Sequence, residues 1–148
     1  MADFLDILSK PAHAVEKPKP RPPGSYLAAV VGMPDQVERK DNRILEFKVK
    51  LIAAQSDVDT DSLENQPDIS SWPPIRYSVF VNDLYPLKRF LTEVLGIEPG
   101  DESDPKSFSQ MVAEAPGRQL IAIVSHRHYT DNDGQPATQA EIKQVAKA

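Results

Sequence analysis

Apolar and polar positions alternate most cleanly between Ile44 and Ala53. Leu45, Phe47, Val49 and Leu51 fall on one face, with Glu46, Lys48 and Lys50 on the other. A period of two is the signature of a half-buried strand. Upstream, Ser25–Val31 is rich in strand formers and ends at Gly32-Met33-Pro34, which must turn. The polar stretch from Gln36 to Asn42 predicts a hairpin loop, basic at Arg39 and Lys40 and followed by Arg43. A third strand over Arg76–Val81 sets Tyr77, Val79 and Val81 against Arg76, Ser78 and Phe80.

The period then changes. Leu84, Leu87, Phe90, Leu91, Val94 and Leu95 form a stripe at helical spacing, with Asn82 or Asp83 able to cap its start and Gly96 to end it. Pro86 is tolerable in a first turn. A shorter helix over Ser107–Ala115 carries Ser107 and Gln110 at capping-box spacing and stops at Pro116-Gly117. Arg118–Tyr129 is a long strand around the apolar run Leu120–Val124. Thr130–Gly134 turns the chain, and Ala140–Ala146 returns as a fifth strand. Three strands, a helical crossover between strands three and four, and two further strands predict a mainly β, α+β fold. That order is the arrangement of the five-stranded OB-like barrel.

Two segments stand outside this pattern. Residues 1–23 hold five of the 14 prolines, together with Lys17, Lys19 and Arg21, after a short apolar turn at Phe4–Leu8. Proline fixes φ and removes backbone donors, so a flexible, polyproline-like N-terminal tail is expected before a domain at 24–148. Residues 55–75 read as an acidic loop insertion, exposed, with one short helix near Ser62.

Composition narrows the chemistry. The 148 residues include no cysteine, which excludes disulfides, thiolate metal sites and a cysteine nucleophile. No apolar run approaches the roughly 20 residues that cross a bilayer, and the first residues lack the basic and apolar regions of a signal peptide. A protein of a reducing, soluble compartment, without membrane contact, is the expectation. Asp57-Val58-Asp59-Thr60-Asp61 opens like a calcium loop, but Ser62 and Asp68 stand where glycine and glutamate are needed. His126 and His128 share one face of the fourth strand; as metal ligands they need a third partner, and as polar strand-end residues they need none. No nucleophile elbow and no phosphate-binding glycine loop occurs, so no enzyme, metal or cofactor is expected.

Charge is the remaining signal. The formal net charge of −5 divides into about +2 over 1–50, −8 over 51–104 and +1 over 105–148. Basic residues collect on the predicted strands and hairpin at Arg39, Lys40, Arg43, Lys48, Lys50, Arg76 and Arg127. Tyr26, Tyr77, Phe80 and Tyr129 interleave with them. Cations that track phosphates beside rings that stack on bases are what a single-stranded nucleic-acid surface needs. These 11 residues are the candidate site.

The motifs Ser9-Lys10-Pro11, Glu16-Lys17-Pro18-Lys19-Pro20, Pro23-Gly24-Ser25-Tyr26, Leu45-Glu46-Phe47, Ala53–Asp59, Leu84–Leu91, Leu95-Gly96-Ile97 and Ala115-Pro116-Gly117 resemble a family of small bacteriophage proteins. Those proteins are described as phage single-stranded-DNA-binding or OB-fold-like, and lie in replication and recombination gene neighbourhoods. The resemblance runs from about residue 5 to 145. It implies a non-catalytic protein that binds single-stranded DNA without sequence preference during phage replication or recombination, in the cytoplasm of an infected bacterial host. The family supplies no residue set to carry across, so the candidate site rests on the strands alone. The rival reading is a protein–protein module, a virion or replisome component. It would dock through residues 1–23 or the 55–75 loop, with a homo-oligomer among its assemblies.

Overall fold

The computed structural model describes residues 20–148, together with Leu5, Leu8, Ser9, Pro11 and Ala12. Most of the expected 1–23 tail therefore lies outside the described residues. Six strands follow: β1 (Gly24–Val30), β2 (Asp35–Arg39), β3 (Asn42–Ala54), β4 (Ile75–Phe80), β5 (Gln119–Thr130) and β6 (Pro136–Lys147). They form one antiparallel sheet in the order β2-β3-β1-β5-β6, with β4 on the other edge of β3. This mostly β, antiparallel architecture with few helices is consistent with the OB-like expectation. No ladder joins β4 to β6 among the described residues, so backbone pairing does not complete a ring.

The alternation of β3 is real: Phe47, Val49 and Leu51 are buried, facing Tyr26, Ala28 and Val30 of β1 and Leu120, Ala122 and Val124 of β5. The crossover closes this core from one side. It consists of α2 (Tyr85–Arg89), a wider π-helical turn (Phe90–Val94) and, after a loop, α3 (Phe108–Ala113). Leu87, Phe90, Leu91 and Leu95 are buried as the stripe predicts. Gly96 takes φ +70°, and Ile97 N–H donates back to the Leu91 carbonyl at 2.9 Å, the bond that ends such a helix. The capping box also forms: Gln110 N–H donates to Ser107 Oγ (3.2 Å), and Ser107 N–H to Gln110 Oε1 (2.7 Å).

Three expectations are corrected. The Gln36–Asn42 segment is not a loop: β2 pairs with β3, and only Lys40 and Asp41 turn, at φ 49° and 67°. Positive φ at both central residues is the hairpin geometry whose twist matches the flanking strands. Asn82 does not cap the helix; its side chain accepts from Arg43 N–H (2.6 Å) and donates to the Asp41 carbonyl (3.1 Å), anchoring that hairpin. Asp83 instead accepts from Tyr85 N–H at 3.0 Å.

The third correction concerns residues 55–75. A short helix, α1 (Thr60–Glu64), forms where expected, but the insertion is not simply exposed. Val58 and Trp72 are in the core, Trp72 at 2% exposure. Its ring meets Tyr26 edge-on at 5.9 Å, and the Arg21 guanidinium lies over it at 4.7 Å. Residues 20–22 are held alongside: Gln66 Nε2 donates to the Pro20 carbonyl (2.8 Å), and Tyr26 Oη to that of Pro22 (2.6 Å). Burial, with the nearby Asp57 charge adding and Arg21 opposing, pushes the Tyr26 hydroxyl from 10.0 up to about 12. A raised pKa in the folded chain means that this contribution is intact below pH 10 and is lost as pH rises toward 12. Thermal melts across that window should show a stability loss that Tyr26→Phe removes.

Candidate nucleic-acid interface

The polar face of β3 builds the site. Antiparallel register sets Lys48 directly opposite Arg76, Glu46 opposite Ser78 and Ile44 opposite Phe80. On the other edge Asp35 faces Glu46, and Val37 faces Ile44. Strand pleating therefore directs Asp35, Glu46, Lys48, Arg76 and Phe80 to one outer surface. The Phe80 ring there is 52% exposed, available to a flat ligand.

Carboxylates organise the cations. Glu46 is 4% exposed, and its two oxygens accept from Arg76 Nη1 (2.6 Å) and Arg39 Nη2 (3.2 Å). Asp35 lies 3.8 Å from Lys48 Nζ and 3.7 Å from Arg76 Nη1, relieving the repulsion between those two cross-strand cations. The hydrogen bond to Glu46 and its charge hold the Arg76 pKa above its ordinary value. Three cations against two carboxylates leave a surplus of about one charge on this face. The arrangement presents guanidinium groups in fixed positions beside a ring, with a weak rather than a strong positive field.

Of the 11 candidate residues, Arg39, Lys48, Arg76 and Phe80 come together here. Lys50 lies on the same face of β3, but its ammonium donates to the carbonyls of Trp72 and Ile69 and staples the insertion to the strand. Lys40 sits in the hairpin turn, and Arg43 pairs with Glu38 at 3.5 Å near its tip. Arg127 and the half-exposed Tyr129 lie on the far part of the β5–β6 hairpin, beyond the register that β5 shares with β1. Tyr26 is corrected: at 0% exposure it offers no ring to a base. Tyr77 is half-buried, against Phe90 at 5.2 Å on the inner face.

His126 and His128 share a side of β5, yet their nitrogens have other partners. His126 Nε2–H donates to the Arg21 carbonyl at 2.7 Å, and His128 Nδ1 lies 3.1 Å from Thr138 Oγ1. Among the described residues no three ligand-type side chains group as a metal site would require. Sequence reasoning missed the two organising carboxylates, Asp35 and Glu46. Their signal was present only as acidic residues spaced to share a face once β2 is paired.

No family model matches the chain, and no curated protein matches its sequence. Among solved structures it is similar to one described as yeast RPA bound to ssDNA. The identity is 12%, over 97% of this chain and 85% of that one, with a TM-score of 0.39.

Proposed function

We propose that this protein is a non-catalytic, OB-like binder of single-stranded DNA that acts without sequence preference through the outer face of β3 and β4. The observation that carries the reading is the gathering of Arg39, Lys48 and Arg76 about Glu46 and Asp35 on the same outer face as the exposed Phe80. Phosphates would meet the cations while a base stacks on the ring, and neither contact reads base identity. The strand order supports the OB-like part. Read as β4-β3-β1-β5-β6, with the helices between β4 and β5, it is the Greek-key order whose second and third strands, here β3 and β4, commonly carry oligonucleotides. The phage replication or recombination setting rests on the family resemblance of the sequence motifs.

A salt series of binding to dT8, short enough for this face alone, tests the reading. About three phosphate contacts require the log of affinity to fall with log salt at a slope near −2, since each single-strand contact contributes about −0.7. Asp35→Asn removes a competitor for Lys48 and Arg76, so it should tighten binding severalfold at low salt. Absence of dT8 binding at low salt, or an Asp35→Asn variant that binds more weakly, contradicts the proposal.

A further inference from the structure

The β4–β6 seam is lined along its length by two adjoining grooves. The first, between Ile75–Arg76 and Gln139–Glu141, is lined by Arg76 and so begins at a cation of the β3–β4 face. The second, of about 550 Å³, runs on between Tyr77 and Lys143–Lys147 and is walled by Tyr85, Arg89, Phe90 and Val94 of the crossover. Both β4 and β6 advance in the same direction along it, so the two grooves follow one track.

The chemistry of the second groove differs from that of the outer face. On the outer face Arg39, Lys48 and Arg76 all pair with carboxylates. In the groove Arg89 is held by Glu93 at 3.0 Å, whereas Lys143 and Lys147 are exposed and carry no ion pair among the described residues. Four residues of strand separate these two ammonium stems by roughly 13 Å, about the span of four stacked nucleotides. Tyr85 stands at the groove mouth with 65% of its surface exposed, and Phe90 and Val94 give the floor an apolar character.

We propose that this groove is a second contact site for single-stranded DNA, entered from Arg76. Lys143 and Lys147 neutralise phosphates there, and the Tyr85 ring stacks on a base. The proposal rests on the reading of the β3–β4 face, which it extends along the seam. Adjacency along the seam to the first groove, which Arg76 lines, and the exposed Tyr85 ring favour a nucleic acid over an acidic peptide, the other ligand that two free lysines would attract. The β-bulge at Lys143, where the β5–β6 register shifts between Ile123 and Val124, breaks the regular edge that an added peptide strand would need.

The test uses the full chain and two strand lengths. Lys143→Glu/Lys147→Glu should weaken dT30 binding at least tenfold and reduce the salt slope by about 1.4, two contacts' worth. It should leave dT8, which the β3–β4 face can hold alone, within twofold. Tyr85→Ala should weaken dT30 severalfold, with Tyr85→Phe near wild type because the ring remains. Unchanged fluorescence of Trp72 reports that the fold is kept. If dT8 and dT30 respond alike to the lysine reversal, or neither responds, the second site is overturned while the first stands. If wild-type protein binds neither oligomer, both readings fall. If a labelled Asp-Leu repeat peptide binds wild type and not the lysine variant while dT30 is unaffected, the groove belongs to an acidic peptide and the proposal is overturned.

Discussion

Trp72→Ala is expected to cost about 3–5 kcal/mol of stability, the range for removing a buried large aromatic side chain. For a chain of this size that lowers the midpoint of thermal unfolding by on the order of 10 °C. The ring joins the insertion to β1 and to the segment before it. It packs edge-on against Tyr26 of β1, lies under the Arg21 guanidinium, and donates through Nε1–H to the Pro67 carbonyl at 2.9 Å. The Lys50 bond goes to the Trp72 backbone carbonyl, so it survives the substitution. Trp72→Phe should therefore recover roughly half of the loss, retaining aromatic burial but not the Nε1–H bond. Circular dichroism is the appropriate probe, because this is the only tryptophan in the chain. A change of less than about 1 kcal/mol would show that residues 55–75 are a dispensable insertion, as their composition alone suggests.

The second large effect belongs to Glu46. Replacing Arg39 and Arg76 together by methionine keeps the aliphatic cover over the carboxylate and removes both of its charged partners. A buried carboxylate left without compensation costs about 3–5 kcal/mol. Either single substitution should cost much less than half of that, because the other guanidinium remains within hydrogen-bond distance. Adding Glu46→Gln to the double variant should restore most of the stability, since no buried charge is then left over. Denaturant melts of the wild type and these four variants give the comparison. Simple additivity of the two arginine effects, or no rescue by Glu46→Gln, would mean that Glu46 is solvated rather than paired. The rescued variant should still lose dT8 binding, which separates the structural from the ligand-facing role of these arginines.

Much of the architecture was legible where local physics decides it. β3 shows because one face must be apolar along its length. The crossover shows because its stripe repeats at helical spacing, and α3 because Ser107 and Gln110 satisfy each other's backbone groups. β2 was hidden because Asp35-Gln36-Val37-Glu38-Arg39 has a single apolar residue. Pairing with β3 and a tight turn at Lys40-Asp41 make it a strand, and neither leaves a pattern within those five residues. Trp72 looked like part of a polar loop because the residues that bury it, Arg21 and Tyr26, lie about 50 positions away in sequence.

The candidate site was legible in its cations and obscure in their partners. Alternation places Lys48 and Arg76 on outer faces, yet only register shows that they oppose each other with Asp35 between them. Aromatic residues divide in the same way. Phe80 and Tyr26 both sit in strands, but the first faces outward and the second is sealed by Trp72. A single strand's pattern does not say which side a layer will cover. Lys143 and Lys147, in an unremarkable final strand, acquire a shared environment with Tyr85 only through the β4–β6 seam.

The central claim is that the outer face of β3 and β4 holds a single strand. Titrating dT8 into isotopically labelled protein at low salt, and following backbone amide shifts, tests it most directly. The perturbed amides are expected to cluster in Asp35–Arg39, Asn42–Lys50 and Ile75–Phe80, the Phe80 ring protons to shift upfield, and the changes to collapse as salt rises. Perturbations confined to other surfaces, or none at oligomer excess, would contradict it.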